Sequence, residues 1–373
     1  MSRDVSSIRL IAGGDVMLGE HPIMVGRGMS TRMQKDPEFS PLSGIAGILQ
    51  QADLTFANLE CVLSDPGPGA TPAERECRGP ARGIESLAAA GFSALSVANN
   101  HIQQHGDPAF AGTIAALVGA GIAPVGLAGD APGRCQPVDI DRGDLQIRIL
   151  GYSLRPRQHF THRPGYAEGT LAGISTDVKE GRRHDRIVVV SLHWGDEFIG
   201  YPSREQVALG RAIIDAGATL VLGHHPHVLQ GCETYGRGAI VYSLGNLVFD
   251  MPWLPELRQS ALFSCRLSAA GIDQLTWLPL VLDDRHCPLP AVGEAATRTL
   301  EFLQEASDDL STGSGTWAPR DPREYQRDLL RAAARQRTAS HRYFMANLWR
   351  YEFAVLRNVI GKFIMRRLGR LND

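Results

Sequence analysis

Thr219 to Gln230 reads TLVLGHHPHVLQ, and this stretch restricts the possible folds more than any other. Leu220, Val221 and Leu222 form the short apolar run of a strand covered on both faces, and Gly223 ends it. His224, His225 and His227 follow at once. A buried strand therefore hands three imidazoles to the loop at its carboxyl end, where open α/β sheets place their sites. Pro226 fixes φ and removes a backbone donor between two of the histidines. In extended backbone the 225 and 227 rings would lie on one side, a pair suited to holding a cation or to acting as acid and base near neutral pH.

The 373 residues suffice for one large domain with an appendage, and a 43% hydrophobic composition is that of an ordinary globular protein. A net charge of −2 gives no chain-wide affinity for nucleic acid, although arginines gather towards the C-terminus. Cys61, Cys77, Cys135, Cys232, Cys265 and Cys287 are scattered with no CxxC, the pattern of free thiols in a reducing compartment. The N-terminal MSRDVSSIRLIAGGDVM lacks a charged region followed by a long apolar one, and no window approaches the ~18 apolar residues of a membrane span. The expectation is a cytoplasmic protein.

Along the chain, apolar runs repeatedly stop at polar residues. SIRLIA leads into GGDVMLG, which puts Asp15 on a glycine-rich turn after a strand, placed for metal or proton chemistry or to cap a helix. LTFANLECVL reads as a strand with Asn58 and Glu60 two apart on one face, and a carboxylate in so apolar a setting calls for a cation or a histidine opposite it. The Pro- and Gly-rich residues 61–82 read as a loop over the site. Within it Arg78 is either a clamp for a substrate carboxylate or phosphate, or a solvated charge. IESLAAAG is a helix stopped by Gly91, and FSALSVANNHI is a strand ending in Asn99, Asn100 and His101. RIVVVSLHWGDEF delivers His193, Trp194 and Asp196, and helix EQVALGRAIIDAG leads back to the histidine stretch. AIVYSLGNLVFD reads as one strand carrying Asn246, and ALFSCRLSAAGIDQLTWLPLVL as a hairpin that closes a second sheet.

The character changes after Asp283. Residues 291–308 read as a helix, and Ser311 to Pro322 as a Ser/Gly/Pro linker. The remainder is basic, with apolar Phe344, Leu348, Phe353, Leu356, Ile360, Phe363, Ile364 and Leu368 at helical spacing. The expected organisation is one domain over residues 6–310, a linker over 311–322 and a basic amphipathic helical tail over 323–373. So broad an apolar face suits docking on the body or a homo-oligomer contact, with contact to an anionic membrane surface as the alternative.

Five strand ends thus present Asp15, Asn58 with Glu60, Asn100 with His101, His193, and His225 with His227. Their recurrence in alternating β and α segments points to one shared site. Together GDVMLG, FANLE, ANNH, SLHWG, GHHPHVLQG and YSLGN resemble the motif series of the CapA family of poly-γ-glutamate capsule-synthesis proteins, over about residues 8–282. That family is itself similar to the calcineurin-like metallophosphoesterases. The resemblance implies a calcineurin-like four-layer α/β/β/α sandwich, with the helical tail as a C-terminal appendage outside it. It also implies that Asp15 is the first metal carboxylate, Asn100 a metal ligand, His101 a catalytic histidine, and His193, His225 and His227 the later metal histidines.

Two departures matter. Met17 stands where the phosphoesterase pattern has a histidine, and Asn58 where it has the bridging Asp, with Glu60 two residues on. A thioether and a neutral amide serve a two-metal centre badly. The reading is therefore one divalent ion (Ca²⁺, Mg²⁺ or Mn²⁺ ahead of Zn²⁺) and no organic cofactor. Its ligands would come from Asp15, Asn58, Glu60, Asn100, His193, His225 and His227, with Asp15, His101, His225 and His227 available for acid/base work. Arg78, Trp194, Asp196, His224 and Asn246 are the candidates for substrate contact. The expected function is metal-dependent acid/base chemistry on a peptide, most concretely Cα epimerisation of a residue in a ribosomal precursor peptide, as in the family's lasso-peptide epimerase branch. The alternatives are a capsule or poly-γ-glutamate biosynthesis protein of CapA type and a two-metal phosphoesterase; a nucleic-acid partner is not expected.

Overall fold

A computed structural model describes residues 7–158, 162–311 and 321–367. Two sheets face each other. The first runs in the order Pro288–Pro290, Gly271–Leu282, Gln259–Ser268, Ser7–Val16, Leu54–Leu59, Ala94–Ser96, Ala123–Val125, with Asn246–Val248 also paired to Ser7–Val16. The second runs Cys232–Tyr235, Gly238–Val241, Leu220–His224, Ile187–His193, Leu145–Ser153, Val138–Arg142. Its four central strands are parallel, and Ile187–His193 (IVVVSLH) is buried along its whole length, as a parallel strand covered on both faces must be.

Side-chain alternation sorts these apolar runs into layers. Leu220 and Leu222 point between the sheets, where they meet Leu10, Ala12 and Phe56 of the first sheet and Ile147, Ile149 and Val189 of the second. Val221 points the other way, with Val188 and Val190, against Ile174 and Val178 of helix Leu171–Arg183 and Val207 and Ile213 of helix Arg204–Asp215. On the far side Ile11, Ala57 and Leu95 pack under Ile45, Leu49, Leu87 and Leu117 from helices Ser43–Leu49, Gly83–Ala90 and Asp107–Gly119. The result is the four-layer α/β/β/α sandwich that the motif series implies. All six cysteines are free.

Two expectations about strands are corrected. AIVYSLGNLVFD is not one strand: Gly238–Val241 lies in the second sheet and Asn246–Val248 in the first, and the chain crosses between them at Ser243–Gly245. The crossing needs close backbone approach, since a Cβ on Gly14 would stand 2.0 Å from the Gly245 carbonyl oxygen and Gly245 itself has φ +61°. The hairpin Gln259–Ser268/Gly271–Leu282 extends the first sheet, not the second, by antiparallel pairing of Leu10 with Cys265 along strand Ser7–Val16.

The tail is two helices, Pro322–Ala346 and Phe353–Arg367, docked on the body. Phe344, Tyr351, Val355 and Val359 close over Ile23 and Val25, and the Tyr351 hydroxyl donates to the Ile23 carbonyl at 2.7 Å. Asn358 donates to Glu76 at 2.8 Å, and Lys362 pairs with the same carboxylate. Phe353, read from the sequence as part of the apolar face, stands exposed, because the turn Leu348–Arg350 breaks the single helix on which that face was laid out. Most of the expected linker, residues 312–320, lies outside the described residues, as do Leu368 and the side chain of Ile364. Among the described residues no helix is long and apolar enough to cross a membrane.

Candidate metal centre

Strand register brings the polar ends together. Asp15 is opposite Asn58 and Asn246 in the first sheet, and His193 is opposite His224 and Ser153 in the second. Asp15 does not sit on a turn: Gly13 and Gly14 are within strand Ser7–Val16, and the irregularity between Ala12 and Asp15 turns the carboxylate towards the second sheet. Nor is the backbone at the histidines extended. His225 has φ +98° and His227 φ +60°, left-handed values that cost of order 1–3 kcal/mol each in a non-glycine residue. The surroundings enforce them: the His225 N–H donates to Asp15 Oδ2 at 3.2 Å, and the Phe198 N–H donates to the Pro226 carbonyl at 2.9 Å.

Asp15 is fully buried and ringed by donors. Asn58 Nδ2 lies 2.8 Å from Oδ1, His224 Nδ1 3.5 Å from Oδ1, and His227 Nδ1 3.4 Å from Oδ2. Burial alone would raise its pKa, but the neighbouring His224 and His227 outweigh it and hold the carboxyl well below the usual range. Glu60 is the opposite case. Both its oxygens are buried without a hydrogen-bond partner, the nearest imidazole being His193 Nε2 at 3.5 Å. Burial, reinforced by the Asp15 charge, pushes it well above the usual range. His193 and His225 are driven down by burial first, and their rings are 4.7 Å apart. His227 goes up to about 10: burial opposes its charge, yet Glu60 and Asp15 prevail.

An orphaned buried carboxyl facing two imidazoles held towards their neutral form, each with one free lone pair, is a donor set for a divalent cation. Among the described residues, three groups have ligand atoms within 4.8 Å of one another: Glu60, His193 and His225; Glu197, His225 and His227; and Asp15, Glu60 and His227. Both ring nitrogens of His225 are buried without partners, so the residues fit an ion. Glu197 is the member that sequence reasoning missed. It lies in the HWGDEF loop beside Asp196, where Phe198 turns left-handed at φ +67°, and it comes within 4.8 Å of the His225 and His227 ring nitrogens.

Other residues read as ligands or substrate contacts take different places. Asn58 donates to Asp15 and accepts from Asn99 Nδ2 at 3.1 Å, so its amide positions the aspartate. Asn100 Oδ1 meets His193 Nε2 at 2.8 Å, while its Nδ2 donates to Gln158. Asn246 Oδ1 lies 3.0 Å from His227 Nδ1 and orients that ring. His224 is buried against Asp15. His101 is half-buried at the rim, with Nδ1 2.9 Å from Gln104 Oε1. Trp194 is not at the surface of the site: it stacks on Tyr242 in the outer core and donates its indole N–H to the Tyr242 carbonyl at 2.9 Å. Arg78 donates to the Ser64 hydroxyl and the Glu74 carbonyl, which commits its guanidinium to its own loop. Asp196 lies 3.4 Å from Arg155 Nη1 and accepts from the Tyr325 hydroxyl of the tail at 3.0 Å.

Residues 9–251 match the family described as bacterial capsule synthesis protein PGA_cap. The capsule biosynthesis protein CapA of Bacillus anthracis is 29% identical over 329 residues, 86% of this chain and 77% of that protein. The PGA biosynthesis protein CapA of Bacillus subtilis is 30% identical over 223 residues, 58% of each chain. Among solved structures, a putative 5'-nucleotidase from Staphylococcus aureus in complex with alpha-ketoglutarate aligns over 80% of this chain and 58% of its own, with 15% identity and a TM-score of 0.48.

Proposed function

The chain belongs to the bacterial capsule synthesis protein family, and from that premise we propose a divalent-cation enzyme of CapA type that works in capsule or poly-γ-glutamate production. The observation that carries the proposal is Glu60, a fully buried carboxyl with two unpartnered oxygens facing His193. Glu60, His193 and His225 would hold the ion, with Glu197, His227 and Asp15 close enough to share it. Two or three imidazoles with a carboxylate suit a borderline ion such as Mn²⁺ or Zn²⁺ better than Ca²⁺. When bound, such an ion supplies a positive centre that polarises a carbonyl or phosphoryl oxygen. Asp15, fixed by Asn58 and the His225 N–H, sets the position of the histidine loop. Asn246 holds the Nδ1 edge of His227, leaving Nε2 as the edge that can give or take a proton.

The proposal is tested by metal analysis of purified protein and by rescue of a capsule-deficient host lacking its own CapA. The wild type retains a divalent ion and restores polymer; Glu60→Gln does neither. A wild-type protein that takes up no ion and rescues nothing would remove the reading.

A second reading, proton exchange at a peptide Cα, rests on one arrangement: His225 held towards its neutral form and His227 towards its charged form, ring centroids 5.9 Å apart. The capsule reading is preferred because the named relatives support it. Deuterium entering an α position of a peptide incubated with the protein in heavy water would reverse that order.

The tail adds a surface to the proposal. Trp349 and Phe353 stand exposed beside Arg350 and Arg357, a combination suited to an anionic membrane surface. Co-sedimentation with phosphatidylglycerol vesicles that persists in the Trp349→Ala/Phe353→Ala variant would refute this contact.

A further inference from the structure

We propose that Arg155 is the anion anchor of this site: its guanidinium takes a carboxylate of a γ-glutamyl substrate and so sets which bond lies over the Glu60, His193 and His225 cluster. The inference rests on the capsule reading for the identity of the substrate and on the following geometry for the anchor itself.

Strand Leu145–Ser153 ends with Ser153 opposite His193, and the next residue, Leu154, donates its N–H to the His193 carbonyl at 2.9 Å. The loop that follows is tied to the same histidine a second time, since Gln158 Oε1 accepts from Asn100 Nδ2 and Asn100 Oδ1 meets His193 Nε2. Arg155 lies between these two ties. Its Nη1 donates to the Gly195 carbonyl at 2.6 Å and approaches Asp196 Oδ1 at 3.4 Å, which fixes the guanidinium on the loop that carries His193 and Glu197.

Two features make this arginine a receptor and not a closed ion pair. Asp196 is shared: its other oxygen accepts from the Tyr325 hydroxyl, so its charge is divided between two donors. Arg155 Nε–H is buried without an acceptor, while the side chain as a whole remains about a quarter exposed, at 27%. A planar fork bound at Nη1 and unmet at Nε keeps a donor for a carboxylate or phosphoryl oxyanion. Two other arginines are committed, Arg78 to Ser64 and Glu74 and Arg157 to Glu168. The carboxylate is favoured over the phosphoryl group because the relatives' polymer carries one on every residue.

The test is calorimetric titration of the full chain loaded with Mn²⁺, using a γ-glutamyl trimer in one arm and inorganic phosphate in the other. Arg155→Gln weakens trimer binding by roughly 10- to 100-fold, the range of a lost charge-assisted pair. Arg155→Lys recovers part of the loss, because a point charge replaces the fork. Arg78→Gln binds as the wild type does. Manganese content stays equal in all four proteins, which separates failure of the anchor from failure of the metal centre. Equal trimer affinity in wild type and Arg155→Gln, or no trimer binding by the wild type, overturns the assignment. Binding of phosphate that needs Arg155, with no binding of the trimer, overturns the carboxylate in favour of a phosphoryl group.

Discussion

The backbone N–H of His225 donates to Asp15 Oδ2 at 3.2 Å, across 210 positions of sequence. Asp15 comes from the first sheet and His225 from the end of a central strand of the second, so this bond spans the join between the two halves of the sandwich. It also holds His225 in its left-handed conformation. The site therefore exists only where both sheets are folded and packed, and its ligands report on the whole domain.

Glu60 should couple metal to stability. Its buried, partnerless carboxyl opposes folding until a cation arrives, so a chelator should lower the melting temperature of the wild type. An ion at about 100 times its dissociation constant contributes about 2.7 kcal/mol, worth roughly 3–5 °C in a domain of this size. Glu60→Gln should melt at the same temperature with and without chelator, and at or above the metal-free wild type. Calorimetric melts with and without EDTA check both statements.

The metal-free protein should lose stability as pH rises, through His227. Its folded pKa of about 10 lies above the ordinary value of 6.5, so the folded state keeps a proton that the unfolded chain releases. The contribution is complete below pH 6.5, declines at about 1.4 kcal/mol per pH unit above it and is gone beyond pH 10. Asp15 has the opposite sign: its lowered pKa contributes above the usual carboxylate range and is lost as acid protonates it. Urea titrations between pH 6.5 and 10 should show a slope in the wild type that His227→Gln lessens, the remainder belonging to Glu60, whose raised pKa has the same sign.

Trp194 should matter to stability and not to binding. Trp194→Phe removes the indole N–H that satisfies the Tyr242 carbonyl and shrinks a packed ring pair. A loss of about 1–3 kcal/mol is expected in urea unfolding. Metal content and anion affinity should be those of the wild type; a substrate-contacting tryptophan would instead show its effect there.

Phe344 should anchor the tail. It is buried with Tyr351, Val355 and Val359 over Ile23 and Val25, and Phe344→Ala should cost about 3–5 kcal/mol locally. In hydrogen exchange, protection should fall in residues 322–363 and 22–27 and stay unchanged in strand Leu220–His224. Uniform loss across both regions would mean that the tail and the sandwich unfold as one unit.

The polar strand ends were legible because they are written locally. An apolar run of alternating side chains stops at Gly223, Asn58 or Asn99, and period and stop need no knowledge of the rest of the chain. The motif series carried the four-layer fold in the same way. What the sequence hid were matters of which distant partner wins. SLGN reads as continuous strand, yet Gly14 and Gly245 let the chain cross between sheets. Arg78 and Arg155 are equivalent as residue types, but Ser64 and the Glu74 carbonyl occupy the first while the second keeps an unmet donor.

Residue order by itself thus determined the alternating architecture, the family and the set of chemistry-bearing strand ends, because each is set by neighbours a few positions apart. Only the tertiary structure decided the left-handed histidine loop, the entry of Glu197, the burial of Trp194 and the docking of the tail. Each of those depends on hydrogen bonds and apolar contacts between segments far apart in the chain, whose balance is settled when the sheets and helices close on one another.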